Sequence, residues 1–112
     1  MSKTQKAPQL DQIAKAFMEN KDACDRVLRM FSLFSNELRL KILCVLKEGD
    51  FCVKDIVELV GGKRSNISQQ LKLLSLAGYL TKERQEKSIF YHLEDQKVRA
   101  TVQFLFEYFK ES

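Results

Sequence analysis

Gly62-Lys63-Arg64-Ser65-Asn66-Ile67-Ser68-Gln69-Gln70-Leu71-Lys72-Leu73-Leu74-Ser75-Leu76-Ala77-Gly78 is the stretch whose reading decides the fold. Ile67, Leu71 and Leu74 recur at i, i+4 and i+7, the apolar stripe of an amphipathic helix. Lys63, Arg64, Ser65, Asn66, Ser68, Gln69 and Lys72 fall off that stripe and include no acid. A soluble surface helix normally mixes acids with bases. This one offers only positive and hydrogen-bonding groups, the set that meets phosphates and base edges in a major groove. A plain solvated face competes with that reading, so the flanking sequence has to decide.

Immediately upstream, Val53, Ile56, Val57 and Val60 form the apolar face of a short helix. Cys52 stands at its cap position, Asp55 follows three residues on, and Gly61-Gly62 end it. Two short helices joined by a few Gly-containing residues, the second polar and basic outside, make a helix-turn-helix. Downstream of Gly78 the period changes from 3.6 to 2. Leu80–Arg84 and Ser88–Leu93 read as two strands, with Gln85-Glu86-Lys87 as a short turn. No glycine is available in that turn, so the reading leaves two alternatives: a positive φ at Gln85 or Glu86, or a longer turn. A hairpin in this place is a wing.

The outer segments are helical. Leu10, Ile13 and Phe17 give one stripe, Asn20-Lys21-Asp22 a kink or break, and Cys24, Val27, Leu28 and Phe31 a continuation. Asn36 is a good N-cap for a helix carrying Leu38, Ile42, Val45 and Leu46 and closing at Gly49; Asp50-Phe51 is then a tight connector. The final helix, from about Glu94 to Glu111, carries Val98, Val102, Leu105 and Phe109. The expected architecture is therefore mainly α with a β-hairpin wing, a winged helix-turn-helix in the order α-α-α-α-β-β-α. Residues 1–8 read as a disordered tail and 9–111 as the domain.

Composition agrees. The 112 residues are 45% hydrophobic and 30% charged, a globular balance. From Lys63 to Lys87 six bases face two acids, a surplus equal to the net +4 of the whole chain. Positive charge confined to one helix and the hairpin after it is an electrostatic footprint for nucleic acid. No apolar run approaches a membrane span, and Met1–Pro8 lacks a secretory apolar core, so a cytoplasmic location is expected. Cys24, Cys44 and Cys52, an odd number without C-x-x-C spacing, argue against a disulfide framework. Of the chain's eight Phe and three Tyr, Phe104, Phe106, Tyr108 and Phe109 crowd the last helix. One small domain cannot bury them all, which points to a two-fold homodimer through the first and last helices.

Ser35-Asn36-Glu37-Leu38-Arg39-Leu40-Lys41-Ile42-Leu43 resembles the helix-2 signature of the ArsR/SmtB-type winged-helix repressors. Ile67-Ser68-Gln69-Gln70-Leu71-x-x-Leu74-x-x-Ala77-Gly78 resembles their recognition helix, and Arg84-x-x-Lys87-x-x-Phe90-Tyr91-x-Leu93 their wing. The resemblance runs uninterrupted over about residues 28–109. It implies a homodimer that binds near-palindromic double-stranded operator DNA and lets go when an inducer binds. It also locates three departures. Where many metal sensors of the family open a helix with Cys-Val-Cys, this chain has Cys52-Val53-Lys54; one thiolate beside a lysine is a poor site for a soft metal. Asp95-Gln96-Lys97 keeps the acid of a second family metal site but supplies no histidine, His92 being the chain's only one. Cys44 resembles the helix-2 cysteine of relatives that sense persulfide or oxidant, yet the last helix has no cysteine.

No metal site and no cofactor are expected. Cys24, Cys44 and Cys52 remain candidate thiol sensors, and the inducer is not specified by the sequence. Arg64 is a candidate for guanine and Gln69 for adenine; Ser65, Asn66 and Ser68 stand near the base-reading end, and Lys63 and Lys72 suit phosphates. Arg84 and Lys87 flank the wing tip. An enzyme is not expected: there is no Gly-rich phosphate loop, and Cys52 with His92 is the sole Cys–His candidate. The competing readings are a winged helix that binds protein instead of DNA, and a metal-responsive repressor with a non-standard site.

Overall fold

The computed structural model of the chain describes residues 9–110. The tail expected over 1–8 and the helix end expected at Glu111 lie outside them. The described residues form two compact units that divide between Ser32 and Leu33.

In the first unit, α1 (Leu10–Glu19) and α2 (Lys21–Phe34) meet at Asn20. The Asn20 side-chain amide donates back to the Ala16 carbonyl at 2.8 Å. The Asn20 backbone N–H donates to the same carbonyl at 3.0 Å, and of the kink or break the sequence allowed it is the break that is found, so five helices, not four, precede the hairpin. The apolar stripes are real but uncovered: Leu10, Ile13, Phe17 and Met18 of α1 and Val27, Leu28 and Phe31 of α2 are all exposed.

The second unit is built on α3 (Glu37–Leu46), α4 (Val53–Val60), α5 (Arg64–Leu76) and α6 (Gln96–Phe109). Asn36 caps α3 as its sequence suggests, its side-chain oxygen accepting from the Arg39 N–H at 2.8 Å. α3 ends at Leu46 rather than Gly49: the Glu48 N–H donates to the Val45 carbonyl at 3.0 Å, an i→i−3 bond in place of a further α-helical one, and the C-cap carbonyl of Lys47 accepts from the Arg99 guanidinium at 3.2 Å. α6 starts at Gln96 rather than Glu94, because Asp95 is its cap and accepts from the Lys97 and Val98 N–H groups at 2.9 Å each. The core collects one stripe from each helix: Ile42, Leu43 and Leu46, then Ile56, then Ile67, Leu71 and Leu74, then Val98 and Val102. Leu33, Leu80 and Leu93 complete it. The far end of α6 does not join: Leu105 is half-buried and Phe109 is 61% exposed.

Phe51 and Cys52 are strand, not connector. They form β1, which pairs antiparallel with β3 (Ser88–Leu93), and β3 pairs with β2 (Leu80–Gln85), giving a three-stranded sheet in the order β1-β3-β2. Two residues are too short to show a period, which hid this strand in the sequence. Phe51 lies opposite Tyr91 and Cys52 opposite Phe90, so the start of α4 is tied to the middle strand of the sheet. No helix among the described residues is long and apolar enough to cross a membrane. The whole is a mainly helical winged helix-turn-helix with a small antiparallel sheet.

Replacing Asp95 with Ala removes the acceptor of two helix-end N–H groups and should destabilise the fold by about 1–2 kcal/mol. Urea unfolding would show a lower midpoint at an unchanged slope; superimposable curves would mean that this cap contributes nothing.

Candidate nucleic-acid interface

Helix α5 is held by its apolar stripe. Ile67 and Leu71 are fully buried and Leu74 nearly so. Because a helix turns about 100° per residue, this leaves Arg64, Ser65, Asn66, Ser68, Gln69 and Lys72 exposed, as is Lys63 just before them. Gly61 (φ 84°) and Gly62 (φ 88°) both sit in the left-handed region, which L side chains avoid. They make the turn between α4 and α5 only three residues long. At the other end Gly78 (φ 89°) completes a Schellman cap: the Tyr79 N–H donates to the Leu74 carbonyl at 3.0 Å and the Gly78 N–H to the Ser75 carbonyl at 3.1 Å.

The charge environment of α5 is unlike that of the other helices. α1 to α4 each carry an acid in the first turn, and α6 is capped by Asp95. α5 has Lys63 at its cap and no acid in its first turn. Its positive dipole end is therefore reinforced rather than neutralised, as suits an approaching phosphate. Among the described residues, Lys21, Lys41, Lys47 and Lys110 all pair with carboxylates. Lys63, Arg64, Lys72, Lys82, Arg84 and Lys87 are exposed and form no ion pair within 4 Å among the described residues, as is also true of Lys15, Arg26, Arg29, Lys54 and Lys97; what sets the six apart is their clustering on α5 and the wing.

The wing adds to this. Gln85 lies opposite Ser88, so the turn is two residues long, and Glu86 takes the positive φ (57°) expected near this position. Strand alternation puts Lys82 and Arg84 on the face that carries buried Leu80 and Leu93 at its root, and Glu83 on the opposite face. The bases are thus sorted to the helix side of the sheet and the acid away from it. Lys82 belongs with Arg84 on this evidence of alternation, a placement that charge counting alone did not reveal.

Two supporting residues were not legible as such. The Arg39 guanidinium donates to the Leu33 carbonyl at 2.8 Å and to the Gln70 side-chain oxygen at 3.4 Å, tying α3 to the middle of α5. Gln70, for which the sequence offered no role, is half-buried on the inner side of α5. Nothing in the linear spacing of residues 39 and 70 signals this pair.

The thiol candidates are free and half-buried. Cys52 does occupy the N-cap of α4, but its thiol reaches the Asp55 carboxylate at 3.3 Å rather than capping a backbone N–H. Cys44 lines an apolar hollow of about 290 Å³ between α3 and α6, with Leu40, Val102, Leu105, Phe106 and Phe109 around it. Burial raises the Cys44 pKa; nearby Lys47 opposes the shift and Glu48 adds to it. His92 lies 2.8 Å from the Asp50 carboxylate through Nδ1, a contact between β3 and the residue before β1. No group of three or more His, Cys, Asp or Glu is placed to hold a metal ion among the described residues.

The model of the bacterial regulatory protein, arsR family, matches residues 36–82. The biofilm growth-associated repressor of Xylella fastidiosa is 32% identical over 85 residues, covering 76% of this chain and 75% of the relative. A cadmium resistance transcriptional regulatory protein CadC homolog from Staphylococcus aureus is 31% identical over 81 residues, 71% of this chain and 67% of the relative. Among solved structures, the transcriptional repressor BigR from Xylella fastidiosa superposes with a TM-score of 0.75 at 29% identity, over 82% of this chain and 94% of that one.

A raised pKa lowers the thiolate fraction at any given pH, and the thiolate is the nucleophile. Cys44, assayed in a Cys24→Ser/Cys52→Ser background, should therefore react with iodoacetamide more slowly than a free thiol at pH 7.5. Its rate should keep rising at pH values where the free thiol has levelled off. Equal rates at pH 7.5 would contradict the burial argument.

Proposed function

The chain belongs to the ArsR family of DNA-binding bacterial regulatory proteins, and from that premise we propose that it is a dimeric repressor that reads a near-palindromic operator. In this reading the described units act as one DNA-binding domain. α5 enters the major groove and the β2–β3 wing touches the adjacent backbone. The observation that carries the proposal is the acid-free outer face of α5, on which Lys63, Arg64 and Lys72 stand exposed, together with exposed Lys82, Arg84 and Lys87 on the wing. Such bases are available to displace counterions from phosphates. Paired with carboxylates they would not be.

The roles follow from position. Arg64 and Gln69 stand towards the N-terminal half of α5, where base edges come within reach; Arg64 suits the bidentate acceptors of guanine and Gln69 those of adenine. Ser65, Asn66 and Ser68 share this end and serve bases or phosphates. Lys63, Lys72, Arg84 and Lys87 are phosphate contacts that set register without reading sequence.

Dimerisation is supported by exposed apolar surface. The α1 and α2 stripes are exposed, and on α6 Phe104 stacks on Tyr108 at 6.0 Å while Tyr108 meets Phe109 edge-on at 5.1 Å. An aromatic group this large on the surface of one small chain marks an interaction face. A two-fold pair would place its α5 helices to read half-sites about 34–36 Å apart. Release is proposed to be thiol-linked. The Xylella relative is named a repressor and the Staphylococcus relative a cadmium-resistance regulator. Among Cys24, Cys44 and Cys52, Cys44 has the position for this, between α3 and α6 where a modified sulfur would disturb the packing of α6, and burial makes its response slow by lowering its thiolate fraction.

Arg64→Ala should lose about 1–3 kcal/mol of operator binding and relax base preference at one position. Lys72→Ala should weaken all sequences alike and lower the slope of log affinity against log salt by about one. Fluorescence anisotropy on the region upstream of the chain's own gene, at two salt concentrations, reads both. Unchanged operator affinity in Arg64→Ala would remove α5 as the reading helix, and salt-independent binding would favour a protein partner over DNA.

Sedimentation of Phe104→Lys/Tyr108→Glu should show monomer where the parent chain sediments as a dimer. A variant that still dimerises would take α6 out of the interface.

A further inference from the structure

Helix α5 and the wing are held in place by different means. α5 lies directly on the core through its buried stripe. The wing does not: residues 81–87 are all exposed, so its angle is set at its root. Three ties meet there. β1 pairs with β3 through Phe51 and Tyr91. The Tyr79 carbonyl accepts from the N–H groups of Glu94 and Asp95 at 3.0 and 3.2 Å. The third comes from α6: one Arg99 guanidinium nitrogen donates to the Leu93 carbonyl at 2.6 Å and another to the Lys47 carbonyl at 3.2 Å.

The fork of Arg99 thus joins the last residue of β3 to the C-cap of α3, from a position on α6. Both acceptors are element ends. A helix-end carbonyl has no partner in its own helix, and a cationic donor there also favours the dipole. Charge-assisted bonds of this kind are about twice as strong as neutral ones. The planar guanidinium fixes two acceptors at a set spacing, which a lysine ammonium does not. Leu93 and Val98, on either side of the bridge, are essentially fully buried, so the bridge is anchored in the core and does not slide along the surface.

We propose that Arg99 is a positioning residue for DNA binding, one that registers the wing against α3 and α6 so that any shift of α6 is passed to the wing. This rests on the reading of the wing as a DNA contact. It gives the α3–α6 region, where Cys44 stands, a route to the DNA-contacting surface that does not pass through α5. A packing change at α6 moves the Arg99 fork, and the fork moves the Leu93 carbonyl at the root of the wing.

The test uses the full chain with Arg99→Met and Arg99→Lys, at a temperature where circular dichroism shows all variants folded. Amide hydrogen exchange in Arg99→Met should be about tenfold faster across β2 and β3 than in the parent, with α4 and α5 unchanged. Acceleration spread evenly over all elements, or none, would overturn the proposal. On a duplex selected by the parent protein from a random-sequence library, Arg99→Met should weaken binding. Arg99→Lys should not restore it, and adding Arg99→Met to Arg84→Ala/Lys87→Ala should cost less than the product of the separate losses. Full rescue by Arg99→Lys would reduce the role of Arg99 to its charge, and strictly multiplicative losses would separate it from the wing; either result overturns the proposal. Unchanged affinity in Arg84→Ala/Lys87→Ala would overturn the reading of the wing as a DNA contact. The exchange pattern involves no DNA and still decides whether Arg99 holds the wing.

Discussion

The burial of Ile67, Leu71 and Leu74 against the core of the second unit is the contact on which the rest of the structure depends. Three side chains on one stripe hold α5 by roughly a third of its circumference. That anchorage is enough, at about 1.5–3 kcal/mol for each buried aliphatic side chain, to fix the helix without help from its polar residues. Those residues are thereby released from structural duty. Arg39 adds direction, reaching the inner Gln70 from α3, and the two glycines of the turn before α5 keep it close to α4. Only the inner face of α5 is structural, so its outer face is free to carry the charge pattern of a DNA reader.

Charge is then arranged by omission as much as by addition. Every other helix of the described residues meets its positive end with a carboxylate, and α5 does not. The sheet repeats the device, with Lys82 and Arg84 on the helix side and Glu83 turned away. The positive charge is carried by two elements that hold their places differently, α5 by core packing and the wing by hydrogen bonds at its root. Membership of the ArsR family accounts for the plan. What departs from the family's usual equipment lies elsewhere, in Cys52 bonded to Asp55 and in a lone Cys44 set among apolar side chains.

Much of this was legible in the chain itself. The stripe of α5, the glycine turn, the cap at Asn36, the hairpin register near Glu86 and the basic segment all depend on residues close in sequence, where period and turn chemistry act directly. The same holds for the unburied aromatics of α6, since a count of large side chains against a small core already shows a surplus. The errors have a common cause. β1 exists because Phe51 and Cys52 find Tyr91 and Phe90 some forty positions away. The carbonyl left open at the end of α3, on Lys47, finds its donor in Arg99 on α6.

The sequence by itself determined the type of every element except β1, the helix-turn-helix, the placement of positive charge and, through its resemblance, the family. These follow from local periodicity, backbone preferences and electrostatic composition, which need no knowledge of what lies across the core. Only the tertiary structure decided which carbonyls Arg39 and Arg99 hold, which face of the wing carries its bases, and what surrounds each thiol. A fork of hydrogen bonds spanning 52 residues, as from Arg99 to Lys47, has no signature along the chain, because its geometry exists only once both ends are already packed.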